Sequence, residues 1–577
     1  MIIEGVRINY GIIDQTIQDD TITPSASENS AYSNANIPLE SGVSYDKITY
    51  LEEDYFKLDG LHVFPISGNT YNVGWESASL SDISGNIAEY IEYIFSNTHD
   101  SYGINIRFPD YCPADTFTVA YYKDSTLIGE RTVTGNTETI YSNNDVRLQW
   151  NKVRLTFTKV NPQQRARLWQ VVFGVNDTYN EDMLISVSAS RTTDLTGDYD
   201  DSGEFSFQFF NDGRFNIRTT NDLPIGLQEG LKVTIYVKKR GSATYLPFGN
   251  YYSETTDVAE NGQVITISGY DELYNLGDTT YSNGIVYPEG RSLYDWAQEI
   301  ADDAGIELTI DDVFKNIIST GYITEVPHRE ALRLIAEAGN GIIVIDANGN
   351  ISLKKHTPTE KGELTADDIV EGSYSVENSD KYLGINVTKY TFSAASAEQE
   401  LGHLDEIGLT QEPQEIEIVY SEYPAVISTI QVFVDTTSSA TITATKIYSD
   451  RCIITLTGTA GDTTFITVTG KPYNKATTAI TRGSTVKNIK TIESNYLITG
   501  DIADDVADYQ YERVVNKYNH SAEIVSSTDF DLGDHVEMNT ENAADVARAT
   551  TSGQYVTRVA FNISYEDHSE TLETIDE

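Results

Sequence analysis

The sequence predicts a mainly β protein with a small α/β unit near its middle, and three observations carry that prediction. Thirty-eight Tyr stand beside only 14 Pro and 3 Met in 577 residues, and an aromatic fraction of 11% favours pleated contact surfaces over helical bundles. Short runs that alternate apolar and polar residues recur along the chain. Helical spacing is clearest in one central stretch, between Gly262 and Lys355. At this length about three or four domains are expected, because one hydrophobic core rarely serves so long a chain.

Residues 1–47 read as a strand and an arm. Val6-Arg7-Ile8-Asn9-Tyr10 alternates like a strand that must find its partners elsewhere, and from Thr21 to about Ser44 the composition turns to Ser, Asn, Ala, Glu and Pro, as in an extended linker. Residues 48–175 hold evenly spaced strand-like segments, among them Ile104-Asn105-Ile106-Arg107-Phe108, Phe117-Thr118-Val119-Ala120-Tyr121-Tyr122 and Val153-Arg154-Leu155-Thr156-Phe157, which is the pattern of a β-sandwich. A new β domain begins at 176–261 with Leu184-Ile185-Ser186-Val187-Ser188 and Glu204-Phe205-Ser206-Phe207-Gln208-Phe209.

Residues 262–363 form the predicted α/β unit. Ser292 caps a helix with Asp295 three residues on, Leu293, Trp296, Ala297, Ile300, Ala301 and Ala304 recur on one face, and Gly305 stops it. A second helix has Pro327 ahead of it, Ala331, Leu332, Ile335 and Ala336 on one face, and Gly339 behind. Asn348-Gly349 then marks a hairpin between Ile342-Ile343-Val344-Ile345 and Ile351-Ser352-Leu353. Residues 393–414 read as a connection with a helix-like "SAEQELGHLDEIG", and 415–577 as a final β domain rich in Thr, Val, Ile and Tyr.

The order "SGYDELYNL", "RSLYDWAQEIADDAGIEL", "PHREALRLIAEAGNGIIVIDANGNISLKK", then "LTADDIVEGSYSVENSDKYLGINVTKY", "DLGDHVEM" and "YVTRVAFNISY" resembles the central hub protein of phage tails and contractile injection machines. It covers roughly the last two thirds of the chain as dispersed patterns. The resemblance implies two ring-forming β domains, the first at 176–261 resuming at 364–392 and the second at 415–577, in a homotrimer that adapts a sixfold tube to a threefold tip. It further implies a virion location at the tail tip or baseplate, assembly in the host cytoplasm, and as partners the distal tail or tube protein, the tape-measure protein and other baseplate proteins. The segments "ITYLEEDYFKLDG", "GWESASLSDISG" and "RARLWQVVFG" look similar to an accessory jelly-roll domain in tail proteins of phages of Gram-positive bacteria. Such sandwiches are also common among carbohydrate-binding modules. A host cell-surface polysaccharide would then find flat faces on exposed Trp75, Tyr102 or Trp150 and hydrogen-bonding groups on Asp82, Asn105 or Arg107. Against this, an aromatic residue in a sandwich is more often core.

A formal charge of −49 makes the average surface repel duplex DNA, so no specific nucleic-acid binding is expected. Cys112 and Cys452, the only cysteines, argue against a disulfide framework and for synthesis in a reducing cytoplasm, where both are expected as buried thiols. With no basic segment before a long apolar run at the amino terminus, export as a single chain is not expected. None of the eight histidines has the His-Glu-x-x-His spacing of a zinc peptidase, and no Gly-rich phosphate loop occurs. Two facing carboxylates suffice for glycoside hydrolysis, a requirement that 88 acidic residues meet too easily to carry weight. Asp198-Tyr199-Asp200-Asp201-Ser202-Gly203-Glu204 alternates oxygen donors ahead of a Gly, but Phe209 stands where a calcium loop needs its bidentate Glu. No metal, cofactor or catalytic residue is therefore assigned. A structural protein is expected; the alternatives are a tail-tip glycosidase or peptidase and a polysaccharide-binding adhesin.

Overall fold

The computed structural model describes residues 3–576 apart from 14–16, 18–19, 40–44, 50–51, 53–54, 56–61, 67–68, 102, 110–111, 144, 146, 196–201, 212–226, 228, 240, 260–261, 357–359, 378–381, 516–517, 526–529, 540–552 and 565–567. It is mainly β, with several antiparallel sheets and few helices.

The chain's scaffold is one 13-stranded sheet built from two sets of strands. The first set runs Gly174–Asn180, Ile3–Ile13, Lys232–Lys239, Leu246–Ala259, Val264–Tyr270, Glu204–Phe210, Leu184–Thr192 in spatial order. The second runs Gly553–Ser564, His568–Asp576, Asn519–Glu523, Ser375–Glu377, with His535–Asn539 and Glu360–Thr365 attached. They meet where Leu184–Thr192 pairs antiparallel with Gly553–Ser564, from Ser186 opposite Ser564 to Thr192 opposite Arg558. Period-2 alternation explains the core: Phe205, Phe207 and Phe209 all turn inward, their rings 6.1 and 5.7 Å apart, and join Ile8, Val233, Ile267, Val559 and Leu572 from both sets.

The sandwich is an insertion in this sheet. Strand Ile3–Ile13 lies antiparallel to Gly174–Asn180, with Ile13 opposite Gly174, so the chain leaves and re-enters at one point. Between them a five-stranded sheet, ordered Ile22–Ala26, Asn86–Ser101, Arg147–Lys159, Thr116–Lys123, Thr126–Val133, shares a core with a three-stranded sheet of Ile140–Asn143, Ile104–Arg107 and Gln170–Val172. The expected arm from Thr21 to about Ser44 is corrected over 21–39, while 40–44 lie outside the described residues. Ile22–Ala26 pairs with Asn86–Ser101 as the outer strand, a position in a sheet where Pro24 can be accommodated, and Ala35 and Leu39 pack on the sandwich core.

In the central unit, Ser292 accepts from Asp295 N at 3.1 Å and caps helix Leu293–Ala304, which Gly305 ends at φ 70°. Helix His328–Gly339 runs through the glycine expected to stop it, because Asn340 takes the left-handed conformation, φ 53°. The Asn-Gly turn is longer than a two-residue hairpin: Asp346 closes onto Asn350, and Gly349 supplies a positive φ of 85°. The unit's core extends beyond residue 363. Ile385 and Val387, expected in the scaffold, and Ile492, Leu497, Val506 and Ala507, expected in the final β domain, pack on the two helices instead.

The predicted connection at 393–414 contains no helix in the region read as one. Gln399–Gly408 is a strand, in which buried Leu401 and half-buried Leu404 and Ile407 recur every three residues because register shifts follow Glu400 and Leu404. It opens a second insert of two three-stranded sheets. Gln399–Gly408, Thr463–Gly470 and Gln431–Val434 form one, and Gln414–Val419, Arg451–Thr457 and Thr441–Ile447 the other, over a core that includes Leu401, Ile418, Ile454 and Val468. The stretch 415–577 is thus divided among this insert, the central unit and the scaffold.

Candidate functional site

The sandwich carries the predicted ligand residues, and the structure does not gather them. Trp75 is fully buried, stacked on Phe157 at 5.3 Å, with Nε1 donating to Asn29 Oδ1 at 3.0 Å. Trp150 is also buried, among Phe95, Tyr121 and Phe173. The expectation that these two indoles offer exposed faces is corrected: both sit at inward positions, where burying an indole stabilises far more than exposing it. Tyr102 lies outside the described residues. Asp82 is exposed but spends both oxygens on its own turn, accepting from the Ser84 and Asn86 amides at 2.8 Å and from Asn86 Nδ2 at 2.9 Å. Asn105 bonds Ser142 and reaches the Gly174 carbonyl at 3.4 Å, and Arg107 lies over the Trp169 ring.

A different set converges on the outward face of the five-stranded sheet. Register places Glu92, Arg154 and Ala120 in one cross-strand row and Ile94, Lys152 and Tyr122 in the next. Arg154 donates from Nε to Glu92 Oε2 at 2.8 Å and lies 4.4 Å from the Tyr90 ring, while Lys152 sits 4.5 Å from the Tyr122 ring. Glu92 is buried although it points outward, because these long side chains close over it. The alternation Tyr90, Glu92, Ile94 against Ile91, Tyr93, Phe95 was the sequence signal for this face. Its chemistry is contact: paired charges and phenol rings held in fixed geometry.

Two buried carboxylates of the sandwich are held in ion pairs. Arg167, itself buried, donates to Glu76 Oε1 and to both oxygens of Glu52, each at 2.8 Å, which ties up both carboxylates as ion-pair acceptors. Burial pushes the Cys112 thiol up to about 12 and the Cys452 thiol up to about 11, so neither forms the thiolate a nucleophile requires near neutral pH. A cleft of about 670 Å³ lies where Asp194 and Leu195, helix His328–Gly339, Tyr423, strand Ile489–Ile492 and helix Ile502–Val514 meet. Glu337 lines it; burial raises its carboxyl above the usual range while Asn495 donates to it at 2.9 Å. Of the segment weighed and set aside as a calcium loop, Asp198 to Asp201 lie outside the described residues, and the Gly203 amide donates to Asp271.

No known family pattern and no curated protein matches the chain. The similar solved structures include phage and prophage tail proteins, a type VI secretion system component of E. coli and PdpA-VgrG complexes. The 43 kDa tail protein of prophage MuSo2 from Shewanella oneidensis aligns with 69% of this chain and 94% of its own at 11% identity and a TM-score of 0.37. A tail protein from Neisseria meningitidis MC58 aligns with 69% of this chain and 93% of its own at 9% identity and a TM-score of 0.37. Prophage tail protein gp18 of Listeria monocytogenes EGD-e aligns with 70% of this chain and 91% of its own at 8% identity and a TM-score of 0.35.

Proposed function

We propose that this chain is a structural hub at the distal end of a phage tail tube, a homotrimer that adapts a sixfold tube to a threefold tip and lets DNA pass. The observation that carries the reading is the scaffold: two strand sets, separated in sequence by the central unit, stand side by side in one sheet, as a subunit needs if three copies are to supply six similar walls. The hub-like motifs run from the end of strand Val264–Tyr270 through the central unit into the second strand set, which agrees with it. The tube protein and the tape-measure protein are its axial partners on this reading, and other baseplate proteins its lateral ones. The sandwich, a jelly-roll-like accessory hung from one ribbon, serves contact with the baseplate or with host cell-surface polysaccharide. Its outward Tyr90, Tyr122, Lys152 and Arg154 are the residues offered for that contact, in place of Trp75 and Trp150.

Particle-averaged electron microscopy of assembled tails tests the reading, with a threefold ring at the tip as the expected result. A monomer at high micromolar concentration, with no ring in tails, would overturn it. The acidic excess, −49 in formal charge, is expected to make the lumen wall electronegative, because basic rings would hold DNA by counterion release. Replacing lumen-facing Asp and Glu with Lys should slow DNA ejection; unchanged ejection would leave the charge as a solubility device alone.

A further inference from the structure

The second insert meets the central unit through an ionic cluster centred on the buried Arg451, which neither the hub reading nor the fold requires. Its covalent attachment is the ribbon of Gly384–Ala394 and Tyr473–Gly483, in which Ala394 lies opposite Tyr473 and the Ala395 amide donates to the Pro472 carbonyl at 2.8 Å. Two strands leaving at one point form a narrow neck. Beside that neck, where Ala425 bridges Pro472 and its amide donates to the Ser449 carbonyl, Arg451 at the start of strand Arg451–Thr457 reaches the central unit: its guanidinium donates to the Ser282 carbonyl and, from Nη1, to Glu325 at 3.3 Å. The Ser449 amide donates to the Gly284 carbonyl at 2.6 Å, and the Val286 amide donates to Ser449 Oγ at 2.9 Å. Arg451 and Ser449 are buried.

The charges at this seam do not balance. Arg451 also holds Asp450 at 3.0 Å and Glu417 at 3.1 Å, so one guanidinium faces three carboxylates, two from the insert and Glu325 from the central unit. Asp450 is 7% exposed, and its Oδ1 has no hydrogen-bond partner. The Ser282–Val286 segment brings no ionisable group to offset this charge. The neighbouring phenols of Tyr322 and Tyr420 are pushed upward, first by burial, and stay neutral.

We propose that the second insert is a hinged arm, attached by its ribbon and held to the central unit by the Arg451 cluster, and that this latch tightens in acid and loosens in alkali. Protonating Asp450 removes one of three negative charges and satisfies a buried group that is costly to keep ionised. Burial, and after it the Glu325 and Glu417 charges acting against the pull of Arg451, raise the Asp450 carboxyl from 3.8 to about 6. When the arm swings out, Asp450 meets water and returns toward its ordinary value, so docking takes up a proton. Protonation therefore favours the docked state, fully at low pH, and the advantage is lost as pH rises through about 6.

Hydrogen exchange on the intact chain tests this through the Ser449 and Val286 amides, whose bonds cross the seam. After correction for intrinsic rates, the opening constant should be about tenfold larger at about pH 8 than at about pH 5. Asp450→Asn should flatten that dependence and leave the arm docked. Glu325→Gln removes a charge that raises the Asp450 carboxyl, and should move the midpoint to lower pH. Equal opening at the two pH values, a full pH dependence retained in Asp450→Asn, or an unmoved midpoint in Glu325→Gln would each overturn the proposal. Glu325 is half exposed and outside the insert, so the last variant remains decisive should Asp450→Asn fail to fold.

Discussion

The ribbon of Ile3–Ile13 and Gly174–Asn180 ends where Ile13 faces Gly174, and the ribbon of Gly384–Ala394 and Tyr473–Gly483 ends where Ala394 faces Tyr473. Each therefore carries an inserted β body on two strands that are already paired, so the loop that the insert forms is closed by the scaffold in the first case and by the central unit in the second. The two bodies differ in what holds them. The sandwich core comprises twenty-one buried residues among those described, five of them Phe and two Trp, while that of the second insert comprises ten. The smaller body compensates with the Arg451 cluster and the Ser449 bonds to the central unit. Among the described residues the sandwich core shares no member with the scaffold core. A body with enough apolar surface to fold by itself needs only a tether, whereas one with half as much borrows stability from its neighbour.

The largest effect should separate excision from truncation. Replacing residues 14–173 with an Asn-Gly turn between Ile13 and Gly174 keeps the ribbon and should leave a soluble scaffold. Starting the chain near Asn180 instead removes Ile3, Val6, Ile8 and Tyr10 from the scaffold core, at about 1.5–3 kcal/mol each, a loss comparable with the net stability of a domain. Soluble yield and thermal unfolding of the two proteins distinguish them; equal behaviour would show that the ribbon is dispensable. Next, Trp150→Ala should cost the sandwich about 3–5 kcal/mol and leave unfolding of the second insert unchanged. Coupled loss in both would erase the distinction between them.

A third joint gives a reference of opposite sign. His356, next to the last strand of the central unit, is buried against Tyr555, and burial, then the charge of Arg513, lowers it from 6.5 to about 4. A depressed histidine contributes stability that is present above about pH 6.5 and is lost as pH falls toward 4. That joint should thus weaken in acid by on the order of 1–3 kcal/mol while the Arg451 latch strengthens. His356→Leu should flatten the acid side of the melting-temperature profile. The smallest effect expected is that of Ile454→Val, about 0.5–1.5 kcal/mol, visible in exchange both of the second insert and of Val286 across the seam.

Much of this was legible in the chain. Ser292, Asp295 and Gly305 mark helix Leu293–Ala304 because capping is local chemistry, and the alternation of Glu204–Phe210 marks a strand with its buried side. What was hidden is long-range. Nothing within Val6-Arg7-Ile8-Asn9-Tyr10 says that Tyr10 lies opposite Asp177, so the sandwich looked like a leading domain when it is an insertion. Leu401, Leu404 and Ile407 imitate a helix because bulges reset a strand's period, and Pro24 disguised an outer strand as linker. Trp75 and Trp150 were named for a surface from residue type alone. The neighbours at positions 90, 92 and 94 that do face outward are distinguished only by which side of the strand the core takes.

Native-state hydrogen exchange of the intact chain at increasing denaturant tests most directly whether one insert is autonomous and the other dependent. Amides of Asn86–Ser101 and Arg147–Lys159 should exchange as one unit with their own free energy, while those of Arg451–Thr457 and Thr463–Gly470 should share an opening isotherm with Val286 and the central unit. A single isotherm uniting the sandwich with the scaffold, or a second insert that opens independently of Val286, would contradict the account.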